Sequence, residues 1–164
     1  MIRYITGNLL EAHAEALVNT VNTVGVMGKG IALQFRETFP DNYKAYLDAI
    51  KRGEVKIGSM LVTKTGNLNG LRYIVNFPTK EHWRNPSRIE YVEKGLISLR
   101  KTIQELSIQS IAVPPLGCGN GQLNWEDVQP LIEQYLGDLP ADVMVYEPNA
   151  TVQQQAGFIA IDNH

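Results

Sequence analysis

Apolar and polar positions alternate over residues 2–6 (I-R-Y-I-T), the period-two pattern of a strand, and Gly7 and Asn8 break it. Residues 16–21 alternate again and predict a second strand, with Asn19 and Asn22 at or near its C-terminal end. Ile31, Phe35 and Phe39 are spaced as one face of a helix over about 31–39, which Pro40 ends. Pro40 also suits the start of the next helix, over 42–52. Tyr43, Leu47 and Ile50 form that helix's stripe, and Gly53 is its C-cap. Residues 60–63 and 72–77 read as two strands around a hairpin turn at 66–70 (G-N-L-N-G). Residues 78–86 (P-T-K-E-H-W-R-N-P) read as a polar, basic loop between two prolines. Ser87 and Glu90 make a capping box before the clearest helical stripe in the chain: Val92, Leu96, Leu99, Ile103 and Leu106. Residues 110–113 form an apolar strand. Asn124 is placed to cap a helix over 125–136, with Val128, Leu131, Ile132 and Tyr135 inward, and residues 142–146 are the last strand. Strands alternating with helices predict an α/β domain with a mostly parallel sheet, made mixed by the early hairpin.

Two joints in this pattern are rich in glycine. Residues 18–35 (V-N-T-V-N-T-V-G-V-M-G-K-G-I-A-L-Q-F) pass from strand through a glycine loop into a helix N-terminus. That geometry offers free backbone N–H groups and a positive dipole end to an anion, typically a phosphate; taken alone, it is equally a tight turn that needs glycine. After the strand at 110–113 comes a second such loop, P-P-L-G-C-G-N-G-Q-L. Ligands of open α/β sheets bind beyond the carboxyl ends of the strands, where both loops fall, so a ligand with two phosphates is expected.

Composition narrows the rest. The chain has 164 residues, 44% hydrophobic and 20% charged, as expected for one domain with an adequate core. A net charge of -2 argues against a broadly basic nucleic-acid coat and leaves room for a local basic site. Cys118 is the only cysteine, so no intramolecular disulfide and no cysteine-based zinc cluster can form. Between two glycines it could be a loop nucleophile, but no histidine lies near it in sequence, and it reads as an inert small residue. The three histidines lack metal-ligand spacing, so no metal is expected, and His13 and His82 read as surface or supporting groups. No apolar run approaches a membrane span and Met1 leads directly into a strand, so the expectation is a cytoplasmic protein with no membrane partner. The loop at 23–30 fails the P-loop pattern twice: Thr23 replaces a glycine, and Gly30 replaces the Ser or Thr after the lysine. The dinucleotide fingerprint fails at Gln122, and no G-x-S-x-G elbow occurs.

Three motifs, spread over nearly the whole chain, carry a resemblance: I-T-G-N-L-L at 5–10, N-T-V-N-T-V-G-V-M-G-K-G-I-A at 19–32, and P-P-L-G-C-G-N-G at 114–121. Together, in this order, they resemble the macrodomain family, which binds ADP-ribose. The resemblance implies a three-layer α/β/α macrodomain with a mixed, mostly parallel sheet over 1–148, followed by a C-terminal tail or linker remnant over 149–164. Within the family, M-G-K-G-I-A and the lysine after F-P-T are similar to the DNA ADP-ribosyl glycohydrolases that act as antitoxins. They are also similar to the terminal ADP-ribose glycohydrolases.

The resemblance implies the following roles. Gly7, Asn8 and Leu9 lie at the adenine end, where Asn8 stands in place of the family's usual aspartate. Asn19 and Asn22 belong to the ligand site, and Asn22 faces the distal ribose. Gly28, Lys29, Gly30, Ile31 and Ala32 cradle the pyrophosphate and distal ribose. Pro115, Leu116, Gly117, Cys118, Gly119, Asn120 and Gly121 close over the same groups. Lys80 is the catalytic residue, either attacking the distal ribose carbon or its opened aldehyde, or protonating or polarising the leaving group. The terminal ADP-ribose glycohydrolases carry an aspartate in the second loop; Gly121 takes its place here, so no carboxylate partner is expected for Lys80. The implied substrate is ADP-ribose on a thymine base of single-stranded DNA, with Trp83, Arg84 and Arg88 as possible DNA contacts. The alternatives are a non-catalytic reader of ADP-ribose and an eraser of protein-linked ADP-ribose or of ADP-ribose 1″-phosphate. No cofactor is implied. A cognate DarT-type toxin is the implied partner, bound through a C-terminal domain absent here, and the chain itself is expected to be a monomer.

Overall fold

The computed structural model describes residues 1–148; the expected tail over 149–164 lies outside the described residues. The elements run β1 (Ile2–Ile5), β2 (Ala16–Asn22), α1 (Gly30–Thr38), α2 (Pro40–Lys51), β3 (Leu61–Lys64), β4 (Tyr73–Lys80), α3 (Ile89–Glu105), β5 (Ser110–Val113), α4 (Trp125–Leu136) and β6 (Asp142–Tyr146). A single 3-10 turn, Leu9–Glu11, follows β1. The six strands form one sheet in the order β1-β6-β5-β2-β4-β3. Every pairing is parallel except β3 with β4, the hairpin expected around 66–70.

Because side chains alternate across a strand, each strand feeds two cores. Val18, Val75, Phe77, Ile111, Val113, Val143 and Val145 pack against Leu96, Leu99, Val128 and Ile132 of α3 and α4. On the other face Leu17, Ile74, Ala112 and Met144 pack with Phe35 of α1, and Val21 packs with Tyr46 and Ala49 of α2. Helices on both faces of a mostly parallel sheet give the three-layer α/β/α architecture.

Three local expectations are corrected. First, β4 does not stop at Phe77 but continues through Pro78 to Lys80. The β2–β4 register slips between Val21 and Asn22, so that Pro78 faces Val21 and Lys80 faces Asn22. β3 has already ended opposite Asn76, so proline enters where the ladder is one-sided and bulged. Second, Ser87 does not cap α3. Arg88 occupies the cap position without a side-chain bond, while the buried Ser87 hydroxyl donates to the Thr79 carbonyl and ties the 81–88 loop to β4. Third, the buried positions of α2 are Asn42, Tyr46 and Ala49, one residue off the apolar stripe. Two of these are polar, and the partners that draw them inward are described below.

Gly95 brings α3 close to the sheet. A Cβ there would lie 2.2 Å from the Phe77 ring. Gly95→Ala is expected to lower stability by about 2 kcal/mol in chemical denaturation, because overpacking outweighs the roughly 1 kcal/mol gained in helix propensity. An unchanged or raised midpoint would refute this account of the packing.

Candidate functional site

The parallel strands end on one rim, where Asn22 closes β2 and Lys80 closes β4, directly opposite in register. The Asn22 side chain is buried and bonds its own loop. Its Oδ1 accepts from the backbone N–H groups of Val24, Gly25 and Val26 at 3.2, 3.0 and 3.2 Å, and its Nδ2 donates to the Val26 carbonyl at 2.7 Å. Tyr46, itself fully buried, donates its hydroxyl to the Asn22 carbonyl at 2.7 Å and lies 3.0 Å from Oδ1. Burial raises the Tyr46 pKa well above that of a free phenol, so it remains a donor. Asn22 therefore shapes the first glycine loop, with one of its two Nδ2 N–H groups engaged in it.

Asn19, also expected in the site, lies deeper still and is wholly buried. Its Nδ2 donates to Asn76 Oδ1 at 3.2 Å and contacts Met27 Sδ at 4.0 Å, while its Oδ1 has no hydrogen-bond partner. Asn76 and Asn42 exchange amide bonds of 2.8 and 3.1 Å, and Thr63 donates to Asn42 Oδ1 at 2.7 Å. This ladder of amides joins β2, β4, β3 and α2 beneath the loop. Asn19 supports the loop through Met27 and does not reach the rim. The polar Asn76 inside the apolar run Y-I-V-N-F, and Asn42 beside the α2 stripe, were the only sequence signals of it.

The first loop ends in α1, whose cap residue Lys29 makes no side-chain bond and whose first turn carries no acid. Its leading N–H groups are thus available to an anion, with Gly28, Lys29 and Gly30 exposed and Ile31 and Ala32 half-buried. Gly30, at φ +59°, passes so close to the second loop that a Cβ would sit 3.1 Å from Asn120 Nδ2. The second loop is a chain of tight turns: Cys118 N–H bonds Pro115 O, Gln122 N–H bonds Gly119 O, and Leu123 N–H bonds Gly117 O. A side chain at Gly121 would strike the Gly117 carbonyl at 2.4 Å, so no aspartate fits there. Pro115 is half-buried, and Gly119 and Asn120 are exposed. Leu116 is fully buried in the core and Gly117 and Gly121 are buried, so these three build the loop more than they line it. The Cys118 thiol is pushed up to about 12 by burial and by Asp127, which leaves it protonated, as its inert reading requires.

Lys80 sits between the two loops. Its ammonium donates to the carbonyl of Trp83 at 3.0 Å and to that of Asn120 at 3.4 Å. Its pKa is lowered, first by burial and then by the charge of Lys29. At the other end of the rim, Gly7 and Asn8 are exposed and Leu9 is buried. Asn8 Oδ1 caps the 3-10 turn through Leu10 N–H at 3.0 Å. Beyond Lys80, the Trp83 ring is stacked with His82 at 5.4 Å, and the Arg84 guanidinium lies 4.7 Å from its centroid. Arg88 lies over Tyr91 at 5.9 Å. Trp83 is 38% exposed, so part of its ring serves its own loop. Among the described residues no cluster of three metal-ligating side chains exists, and no helix is long and apolar enough to cross a membrane.

A family model described as Macro domain matches residues 18–132. A DNA ADP-ribosyl glycohydrolase of Thermus aquaticus is 60% identical over 149 residues, covering 90% of this chain and 41% of the relative. Among solved structures, the macrodomain of Mycobacterium tuberculosis DarG superposes with a TM-score of 0.88 at 56% identity, covering 91% of this chain and 99% of that one. Thermosipho africanus DarTG in complex with ADP-ribose superposes with a TM-score of 0.85 at 34% identity, covering 97% of this chain and 46% of that one. The chain spans about two fifths of the length of the curated relatives it matches.

If Asn22 holds the first loop as described, Asn22→Ala will accelerate hydrogen exchange at Val24, Gly25 and Val26 by about tenfold, the loss of about one hydrogen bond each. The amides of β5 should exchange as before. Unchanged protection in the loop would show that the loop does not depend on this amide.

Proposed function

Because this chain belongs to the macrodomain family, we propose that it is a DNA ADP-ribosyl glycohydrolase, releasing ADP-ribose from thymine bases of single-stranded DNA. The observation that carries this is Lys80. It is an amine with a lowered pKa, held by two carbonyls between two glycine loops that both expose backbone. In this proposal the first turn of α1 and the loop around Gly119 and Asn120 bind the pyrophosphate, and the free Nδ2 of Asn8 meets the adenine edge. The distal ribose lies over Lys80, and Arg84, Arg88 and the exposed part of Trp83 contact the DNA. The hydrolysis needs no cofactor. The reaction breaks the bond between the ribose anomeric carbon and a thymine nitrogen, and water supplies a proton to the base and a hydroxyl to the sugar. Burial and Lys29 both favour the neutral form of Lys80, so we assign it the nucleophilic role: the amine displaces thymine at the anomeric carbon and passes its proton to the base, and water then cleaves the lysine–ribose bond, giving the sugar its hydroxyl and returning the amine. Release of ADP-ribose would restore the base in the cytoplasm and so oppose a DarT-type toxin. The name of the Thermus relative and the ADP-ribose complex of the Thermosipho protein support this reading.

Lys80→Ala should reduce turnover of ADP-ribosylated oligonucleotide by about 10²–10⁴-fold while the Kd for ADP-ribose stays within about twofold. Normal turnover in the variant would remove Lys80 from the chemistry. No release by wild type would leave a binding module, and faster release from ester-linked protein would point to a protein eraser. A neutral amine as nucleophile also sets the sign of the pH response. The ammonium is inactive, so kcat should rise with pH along a limb whose midpoint lies below the ordinary lysine value. A rate that falls through that range would assign Lys80 to acid catalysis.

A further inference from the structure

Next to Lys80 lies a cavity of about 280 Å³ lined by Thr23, Val55, Lys56, Ile57, Glu81, Tyr91 and Lys94. Two of these residues follow directly on the site: Thr23 after Asn22, and Glu81 after Lys80. Thr23 N–H and hydroxyl both bond the Glu81 carbonyl, at 3.0 and 3.1 Å, extending the β2–β4 pairing to form a common wall. The opposite walls are the segment from α2 to β3 and the helix α3. These pass so close that a Cβ on Gly58 would lie 3.4 Å from Lys94 Cβ. Lys56 and Lys94, one from each wall, are exposed and lie within 4.0 Å of no carboxylate among the described residues. The carboxylate in the lining, Glu81, accepts from the Tyr91 hydroxyl at 2.6 Å, and Arg88 lies over that same ring.

The order of strands on the rim gives this cleft a direction. From β1 to β3 the rim carries Asn8 at one end, then the ends of β5 and β2 that lead into the glycine loops, then the end of β4, where Asn120 of the second loop reaches across to Lys80. In the function proposed above, on which this step rests, ADP-ribose runs along that line from adenine to distal ribose. Whatever is attached to the distal ribose then continues in the same direction, over the end of β4 toward β3, and the cleft is there. Its lining carries two free ammonium groups and one carboxylate already engaged by a phenol, the balance that suits a phosphodiester. We propose that the Lys56–Lys94 cleft seats a phosphodiester of the single strand beside the modified base. The cleft would make a flanking nucleotide, and not the modified nucleoside alone, part of the recognised substrate.

The test is the Kd of a fluorescent ADP-ribosylated single-stranded oligonucleotide, measured by anisotropy across a salt series. Wild type is compared with the Lys56→Ala/Lys94→Ala double variant. Both positions are exposed, and thermal denaturation checks that the variant is folded. The Kd for the oligonucleotide should rise about tenfold at low salt. The slope of log Kd against log salt should fall by about 1.4, the loss of two single-strand phosphate contacts. The Kd for free ADP-ribose should not change. An unchanged oligonucleotide Kd and slope would overturn the proposal, as would an equal rise for free ADP-ribose. Turnover on the same samples tests the glycohydrolase reading separately: a wild type that binds but releases no ADP-ribose refutes that reading and leaves the comparison of Kd values intact.

Discussion

The rim of this molecule depends on one side-chain amide. Asn22 takes three backbone N–H groups on a single oxygen and returns one bond to the Val26 carbonyl, folding the start of the glycine loop around itself. Without it those N–H groups would turn to water, at a cost of about 0.5–1.5 kcal/mol each. Tyr46 fixes the amide from below, and the Asn19–Asn76–Asn42 ladder fixes Met27 at the loop's far side. The loop that would meet a ligand is therefore held by a buried polar layer. Gly28 to Gly30 remain exposed, with backbone donors free.

A second constraint is the bulge in β4. The slip between Val21 and Asn22 brings Lys80 opposite Asn22, where an unslipped ladder would place Thr79. Strand side chains alternate, so a one-residue slip exchanges faces. Thr79 is buried and its carbonyl anchors Ser87, while Lys80 emerges half-buried between the loops. Proline at 78 suits such a place, since it has no N–H to give to a ladder. The anchoring of Ser87 then returns the 81–88 segment over the end of the strand, which puts Trp83 carbonyl within reach of the Lys80 ammonium.

The layers of the fold were legible because they rest on periodicity: alternating strands, the long α3 stripe, and glycine at the joints after β2 and β5. Lys80 and both glycine loops were legible through the family motifs. The exceptions share one cause. Ser87, Asn42 and Tyr46 are polar residues whose local pattern assigns them to caps or surfaces, and each is buried with a partner distant in sequence, eight residues away for Ser87 and more than twenty for Asn42 and Tyr46. Asn19 and Asn22 were marked by a motif, but their hydrogen bonds within the fold were not, because a motif reports that an amide is needed and not which way it turns. The cleft beside Lys80 had no sequence signal, since its walls come from four separated segments and its lysines sit in no motif.

The absence of a carboxylate at Gly121 bears on the chemistry as well as on packing. An aspartate near Lys80 would favour the ammonium and raise its pKa, because an opposite charge stabilises the charged form. Here the Gly117 carbonyl occupies the space any side chain at 121 would need, so that effect is excluded by the turn itself. What remains around the amine is burial, the positive charge of Lys29, and two carbonyls that orient it. The first two act in the same direction, toward a neutral amine, and the carbonyls can hold the nitrogen in place without supplying a full negative charge. In the proposed reaction this environment serves lysine as a nucleophile, whereas a proton donor would be served by a carboxylate that keeps it charged.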